Sequence, residues 1–185
     1  KIKKDYNIKT KKVIIFIGRL EERKGFNYLI SAMPKVLEKF DVTLLILGDG
    51  PLRSNLLNKI KKFNLKDNIK FFGYTFGEKK LDLLKASDIL IMTSLNEGLP
   101  VTLLEGLATK KTIITTKVGG IGDLIKNNYN GILIKSKSKE EISNAIIKLF
   151  RDSELMEKLS RNAYNMSKNY DWEVISKKYN KLMSS

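Results

Sequence analysis

Two glutamates flank a glycine and a proline in the stretch of sequence that carries the most chemical information. Glu97 and Glu105 lie eight positions apart, with Gly98 and Pro100 between them. An apolar run before them predicts a buried strand, and Pro100 is typical of the first position of a helix. Free N–H groups and the helix dipole make such a helix start attractive to anions. Carboxylates accept hydrogen bonds from hydroxyl groups, so the stretch predicts a ligand with both phosphates and sugars.

Two cations stand in the loop that follows the first predicted strand. Arg19 and Lys24 lie five positions apart, between Gly18 and Gly25. An arginine fork grips two oxygen atoms at once and a lysine adds a mobile point charge, so the pair suits a diphosphate. The same loop carries two glutamates and an arginine at 21–23, which favours the alternative of a solvated charged loop.

Each of the other candidates also has an ordinary structural explanation. One glutamate would lie in a plain turn and the other on an exposed helix face. Gly73 and Tyr74 follow the third predicted strand, where they would form a wall for a base, or where Tyr74 would pack on the surface. Gly119 and Gly120 would either let the backbone approach a ligand or form a tight turn.

The composition excludes several kinds of chemistry. The sequence contains neither cysteine nor histidine, which excludes disulfides, thiol nucleophiles, imidazole catalysis and zinc sites of the usual kind. It also lacks the G-x-G-x-x-G and G-x-x-x-x-G-K-[ST] patterns, so NAD-dependent and P-loop ATPase functions have no local support. No apolar run approaches the roughly 20 residues that span a bilayer. We therefore expect a soluble cytoplasmic protein.

The net charge is strongly positive, at +15. Such a charge attracts nucleotide phosphates, an anionic membrane face or nucleic acid. The lysines are spread along the chain and do not interleave with aromatic residues as in a surface that binds single strands. This distribution favours a generally lysine-rich surface, and we predict that nucleic acid is not a partner.

Alternating strands and helices predict the fold class. The predicted strands are at 12–18, 42–48, 69–73, 88–94, 112–116 and 131–134. The predicted helices are at 26–40, 52–63, 81–86, from Pro100 onward, and at 121–126, 139–150, 153–169 and 172–183. Continuous apolar strands that alternate with helices are typical of an α/β, Rossmann-like, doubly wound parallel sheet with helices on both faces. Residues 1–11 are expected to be a linker or a frayed segment, and 12–185 one domain.

Loops after parallel strands meet at one edge of the sheet, where ligands bind in this kind of fold. The loops at 18–25, 48–51, 73–77, 94–100 and 116–121 are therefore expected around one crevice.

The motifs in these loops, taken in order, resemble a known family. They are G-R-L-E-E-R-K-G at 18–25, G-D-G-P-L at 48–52, I-K-F-F-G-Y at 69–74, A-S-D at 86–88, S-L-N-E-G-L-P-V-T-L-L-E at 94–105, V-G-G-I at 118–121 and N-G-I-L-I at 130–134. The chain resembles the C-terminal, donor-binding domain of the group 1 (family 4) retaining glycosyltransferases, which have the two-domain GT-B fold.

The resemblance implies roles for particular residues. Arg19 and Lys24 match the pair that binds the donor diphosphate and stabilises it as it leaves. Glu97 matches the first acidic residue of the E-x7-E motif, near the transferred sugar, and Glu105 matches the second, which holds the ribose. These matches make Arg19, Lys24 and Glu97 the implied catalytic residues. The implied substrate-binding residues are Gly18, Gly73, Tyr74, Gly98, Leu99, Pro100, Val101, Thr102 and Glu105.

The resemblance also implies partners and the absence of a cofactor. The substrate would be a UDP- or GDP-linked sugar, without a metal, since cationic side chains and a helix dipole do the electrostatic work. The acceptor would bind to a first domain outside this chain, to which the helix at 172–183 would cross back, so this half would bind nucleotide weakly and transfer no sugar alone. The basic surface would suit peripheral docking at an anionic inner membrane face, where a lipid-linked acceptor resides.

Two positions depart from the family pattern. Gly106 stands where alanine is usual, and Gly122-Asp123 stands where proline–glutamate is more common. The alternative to an enzyme part is a stand-alone nucleotide-binding or regulatory module. A sugar-facing carboxylate at Glu97 favours the enzyme, since a pure nucleotide binder does not need one.

Overall fold

The computed structural model describes residues 2–170, 174 and 176. Its strands are β1 (Lys12–Ile17), β2 (Val42–Leu47), β3 (Ile69–Gly73), β4 (Ile89–Met92), β5 (Thr112–Thr116) and β6 (Ile132–Ile134). They form one parallel sheet in the order β3-β2-β1-β4-β5-β6. This confirms the predicted six-stranded, Rossmann-like sheet.

Helices occupy both faces of the sheet. They are α1 (Ile2–Asp5), α2 (Phe26–Leu37), α3 (Arg53–Lys62), α4 (Gly77–Ala86), α5 (Val101–Ala108), α6 (Ile121–Leu124), α7 (Lys139–Arg151) and α8 (Ser153–Ser167). Side chains on a strand alternate between the two faces. In β1, Ile14 and Phe16 therefore pack with α2 and α7, while Val13 and Ile15 pack with α4 and α5. The central strands are buried on both faces, which is why they read as unbroken apolar runs.

Several helix boundaries differ from those predicted. α2 accommodates Pro34 but ends at Leu37 instead of residue 40. α4 begins at Gly77, four residues before the predicted start, because the apolar spacing used to find it begins only at Leu81. Pro100 is not the first residue of α5: its backbone is extended (ψ 125°), so it caps the helix that starts at Val101.

The N-terminal segment packs on the domain, so the expectation of a linker or frayed end is wrong for residues 2–10. α1 is followed by Ile8, which is only 6% exposed within the core. Tyr6 meets the edge of Phe72 with ring centroids 6.0 Å apart. Thr10 Oγ1 donates a hydrogen bond to Thr43 Oγ1 on β2. Burial of Ile8 and Tyr6 outweighs the polar, basic character that suggested a linker.

The remaining expectations concern the chain's end and membranes. The helix predicted at 172–183 lies outside the described residues, apart from Val174 and Ser176, which are both helical. In the described part of the chain, no helix combines the length and the apolar character that crossing a bilayer requires.

Candidate functional site

The middle of the sheet is where the chain reverses the direction in which it adds strands. β1 lies between β2 and β4, so the connections after β1 and β4 leave the sheet on opposite sides. In doubly wound sheets, the usual ligand site lies beyond the carboxyl ends of the strands at this point. The loops that follow β1 and β4 contain the two groups of candidate residues, Arg19 to Lys24 and Glu97 to Thr102.

Hydrogen bonds to its backbone carbonyl groups and a close glycine approach hold the loop after β1 against the end of β4. Thr93 Oγ1 donates a hydrogen bond to the carbonyl oxygen of Lys24 at 3.0 Å. The Leu95 N–H donates to the carbonyl oxygen of Arg23 at 2.6 Å. Gly25 has φ +62°, and a Cβ atom there would lie 2.0 Å from the Thr93 carbonyl oxygen. Only glycine permits this approach, and the approach fixes where Lys24 emerges.

Lys24 and Glu97 form the best-buried ion pair of the site. Lys24 Nζ lies 2.5 Å from Glu97 Oε1, and their side chains are 14% and 5% exposed. Ser94 Oγ donates to the same carboxylate oxygen at 2.7 Å. Arg23 Nη1 lies 3.6 Å from the other oxygen, Oε2. Two residues predicted from distant parts of the sequence are therefore in contact, and their charges compensate each other.

The double glycine after β5 packs against the turn that carries Glu97. The Gly120 N–H donates to the carbonyl oxygen of Gly98 at 3.1 Å. Gly119 has φ +52°, and a Cβ atom there would lie 1.8 Å from the Glu97 carbonyl oxygen. The close backbone approach of these glycines is thus to the chain's own 97–98 turn. The loops after β1, β4 and β5 form one continuous wall.

N–H groups without an acceptor mark the start of α5. Leu103 donates to the Pro100 carbonyl oxygen, whereas Gly98, Leu99, Val101 and Thr102 find no backbone or side-chain acceptor among the described residues. The first N–H groups of a helix are free unless something caps them. This cluster lies directly after Glu97 and can therefore receive an anion.

A cleft of about 490 Å³ lies beside this wall, at the ends of β1, β2 and β3. Three of the predicted residues, Gly18, Arg19 and Tyr74, contribute to it. Its full lining is Ile17, Gly18, Arg19, Leu47, Gly48, Asp49, Gly50, Tyr74, Thr75, Phe76 and Lys80. Tyr74 is 83% exposed, so its ring stands at the rim. Gly73 ends β3 with φ +64° and lies next to the lining without being part of it.

The loop after β2 contributes Gly48, Asp49 and Gly50 to the cleft, as expected for the loop at 48–51, although none of these residues was a predicted site residue. A Cβ atom at Gly48, whose φ is +150°, would lie 1.9 Å from the Gly18 carbonyl oxygen. The Leu20 N–H donates to the Asp49 carbonyl oxygen at 2.9 Å. The sequence predicts that this loop lies beside the loop after β1, but the G-D-G-P turn signal does not indicate which of its residues makes the contact.

Arg19 and Lys24 leave the same loop at neighbouring points. The Lys24 side chain passes over Gly18, where an added Cβ atom would be 3.7 Å from Lys24 Cδ. Arg19 is 70% exposed and its Nε is 3.8 Å from Glu21 Oε2. Arg23 Nε lies 2.6 Å from Glu21 Oε1. The acidic residue that suggested an ordinary charged loop thus bridges two arginines beside the cleft.

Glu105 joins the cleft through a lysine that sequence reasoning missed. Lys80 Nζ on α4 lies 2.7 Å from Glu105 Oε1 and 2.6 Å from Oε2. Lys80 lines the cleft directly, whereas Glu105 lines an adjoining cavity of about 460 Å³. With 35 lysines and arginines in the chain, no sequence signal distinguished Lys80 from the others.

The unusual glycine at 106 has a packing explanation. A Cβ atom there would lie 2.3 Å from Leu90 Cδ2 and 3.0 Å from Ile113 Cδ1. Glycine lets α5 sit close to β4 and β5, directly behind Glu105. Among the described residues, no group of three or more carboxylates is placed to hold a metal ion.

The family assignment follows from comparison with known proteins. A family model described as glycosyl transferases group 1 matches residues 1–166. The chain belongs to the group 1 glycosyltransferase family. This confirms the family resemblance drawn from the loop motifs.

Relatives within the family are longer than this chain. An uncharacterized glycosyltransferase of Methanocaldococcus jannaschii is 31% identical over 167 residues, which are 90% of this chain and 43% of that protein. A second from the same organism is 35% identical and matches 98% of this chain and 47% of its own length. The N-acetyl-α-D-glucosaminyl L-malate synthase of Bacillus anthracis is 29% identical, with 88% and 42% covered. The chain thus spans less than half the length of these relatives.

Solved structures show the same fold. The C-terminal domain of the group 1 glycosyltransferase LpcC from Francisella tularensis superposes with a TM-score of 0.83 at 28% identity and covers 91% of this chain and 90% of that one. The Anabaena protein HepE, solved in complex with UDP, gives a TM-score of 0.89 over 99% of this chain and 51% of its own. At 21% identity, the second likeness shows the fold alone. The fold is that of the C-terminal domain of a GT-B glycosyltransferase.

Proposed function

We propose that this chain is the donor-binding part of a retaining, metal-independent glycosyltransferase. It moves a hexosyl group from a UDP- or GDP-linked sugar to a hydroxyl acceptor. The acceptor binds to another part of the longer protein, at or near an anionic membrane face. The observation that carries the proposal is the contact between Lys24 and Glu97, placed beside a cleft that Arg19 lines.

The charges suit departure of a diphosphate. Breaking the bond between the sugar and the diphosphate leaves negative charge on the phosphate oxygens. Arg19 and Lys24 counter that charge, and the free N–H groups after Glu97 add oriented donors. The loop that carries Lys24 and the wall around Glu97 are held in place before the charge develops, because hydrogen bonds fix their backbone.

The carboxylates suit the two sugars of the donor. Glu97 is held by Lys24 and Ser94, and in this proposal it orients the hydroxyl groups of the transferred sugar. Glu105 accepts hydrogen bonds from the ribose, and the exposed ring of Tyr74 lies against the base. A similar protein supports such a ligand, since HepE was also solved in complex with UDP-glucose.

Calorimetry with UDP, GDP, UDP-glucose and UDP-N-acetylglucosamine tests this function. We expect a UDP-sugar to bind about tenfold more tightly than UDP, as hydrogen bonds to a charged group add to the affinity. Glu97→Ala should abolish the difference between the UDP-sugar and UDP. The matched control is Glu22→Ala, an exposed glutamate of the loop after β1, which should retain it. Binding should persist in excess EDTA.

Other outcomes of the same titrations would contradict the proposal. Equal affinity for all four ligands would indicate a stand-alone nucleotide-binding module without a sugar site. Binding that requires a divalent cation would remove the metal-independent part of the proposal.

A further inference from the structure

Lys80 occupies a position that no motif in the sequence points to. It lies near the start of α4, which begins at Gly77. Its side chain borders both the cleft of about 490 Å³ and the adjoining cavity of about 460 Å³. Phe76 is the other residue that borders both. Lys80 therefore stands on the boundary between the cleft that Arg19 and Tyr74 line and the cavity that Glu105 lines.

The ammonium group of Lys80 engages both oxygen atoms of Glu105. The distances from Nζ are 2.7 Å to Oε1 and 2.6 Å to Oε2, and the hydrogen bond is to Oε1. Oε2 is buried and accepts no hydrogen bond among the described residues, yet the Glu105 side chain as a whole is 35% exposed. A carboxylate has about four acceptor positions, so the pairing leaves acceptor capacity for hydroxyl groups.

The pair also sets the charge on this side of the cleft. A bare Glu105 carboxylate would repel a diphosphate bound nearby, because like charges interact strongly where water is partly excluded. Lys80 compensates that charge at contact distance. Its side chain is 23% exposed, so solvent screens the pair less than it screens an exposed surface pair.

We propose that Lys80 is a positioning residue that holds the Glu105 carboxylate against the ribose of a nucleoside diphosphate. This inference rests on the proposed function and names a residue that its site requires. Lys80 fixes the direction of the carboxylate and lowers its repulsion of the phosphates. Without Lys80, Glu105 turns toward solvent and no longer distinguishes ribose from a sugar that lacks the 2′-hydroxyl.

The test compares UDP with 2′-deoxy-UDP, and GDP with 2′-deoxy-GDP, by calorimetry on the 185-residue chain. We expect the chain to favour the ribonucleotide about tenfold, since one hydrogen bond to a charged acceptor is lost in the deoxy compound. In Lys80→Met this ratio should fall to about one, and in Lys80→Arg it should recover to within about threefold of the original. The matched control is Lys79→Met, which removes the neighbouring exposed lysine over the ring of Phe72.

A double-variant cycle shows whether Lys80 acts through Glu105. The variant with both Lys80→Met and Glu105→Gln should show the same preference for UDP over 2′-deoxy-UDP as the variant with Glu105→Gln alone. The effects of the two substitutions are not additive when one residue acts through the other. Unchanged thermal unfolding of each variant would exclude misfolding as the cause.

The outcomes separate this inference from the proposed function. If Lys80→Met weakens UDP and 2′-deoxy-UDP equally, Lys80 contacts the phosphates or the base directly and the inference fails alone. It also fails alone if the variant keeps the original ratio. If the chain binds none of these nucleotides at millimolar concentration, the proposed function fails and takes the inference with it.

Discussion

Lys24 and Glu97 owe their contact to backbone geometry as much as to their own charges. Contacts of Thr93, Leu95 and Gly25 hold the two loops together independently of the ion pair. An ion pair this well buried has a desolvation cost that only good geometry repays. The glycine is therefore as necessary to the pair as the lysine.

Gly25→Ala tests this dependence. The added methyl group would lie 2.0 Å from the Thr93 carbonyl oxygen, at a φ of +62° that disfavours alanine. We expect a loss of about 1–3 kcal/mol in the free energy of unfolding, the usual cost of such backbone strain, measured by urea denaturation. Gly98→Ala is the control, because a Cβ atom there meets nothing within 4 Å. An equal effect of both substitutions would contradict the prediction.

Sequence reasoning selected some residues of the candidate site and not others for physical reasons. Arg19, Lys24 and Glu97 stand beside glycine and proline, which mark backbone positions that few other residues tolerate. Lys80 stands in a lysine-rich helix with no such neighbour, and its contact is with Glu105, 25 residues away. A contact between two residues that are far apart in the chain cannot be predicted from the local sequence when one of them belongs to no motif.

Helices and strands, too, were predicted well where the local sequence pattern determines them and poorly where contacts with distant residues do. The strands were predicted closely, because burial on both faces demands unbroken apolar runs. The segment before β1 was not, because its few apolar residues have no period and find their partners elsewhere. Ile8 packs with residues of β1 and α4, and Tyr6 Oη donates to Asp82 on α4.

Lys111 connects α4 to β5. Its side chain is buried, and Nζ donates to the carbonyl oxygens of Lys85 and Ser87 at the end of α4. Removing the ammonium group leaves both carbonyl oxygens without this hydrogen-bond donor. We therefore expect Lys111→Met to lower the free energy of unfolding by about 1–3 kcal/mol. Lys66→Met, at an exposed lysine, should cost less than about 0.5 kcal/mol. Chemical denaturation of both variants provides the measurement.

The pH dependence gives a second readout of Lys111. Burial lowers the pKa of the Lys111 ammonium group below its usual 10.5, a nearby lysine (Lys3) lowers it further, and Asp88 partly opposes both. Between the lowered pKa and 10.5 the unfolded chain binds more protons than the folded chain, so this group makes stability rise with pH. The free energy of unfolding should therefore rise less with pH in Lys111→Met than in Lys66→Met. Identical pH profiles of the two variants would contradict the lowered pKa of Lys111.

At the scale of the molecule, the fold gathers the site on one edge of the sheet. The loops after β1, β2, β4 and β5 contact one another through Gly18, Gly48, Gly98 and Gly119. The loops with candidate residues therefore share one edge of the sheet, while the helices on both faces pack with the strands to form the core.

We expect the 185-residue chain to bind nucleotide without transferring sugar. It spans 43% and 47% of two relatives in the family, so the acceptor groups in our proposal lie outside it. Incubation with UDP-glucose and a hydroxyl acceptor should release no UDP above the rate of buffer alone. Robust sugar transfer by this chain would contradict the proposal that the acceptor-binding groups lie outside it.

The hydrogen bonds from the Thr93 hydroxyl and the Leu95 N–H to the loop after β1 also have a thermodynamic consequence. Binding usually carries an entropy cost when a ligand must order a mobile loop. Here the main chain at Arg23 and Lys24 already forms hydrogen bonds with the residues that follow β4. The entropy cost of ordering this loop on binding should therefore be small. The heat-capacity change of binding should then reflect the apolar surface that the ligand covers, without a contribution from loop folding.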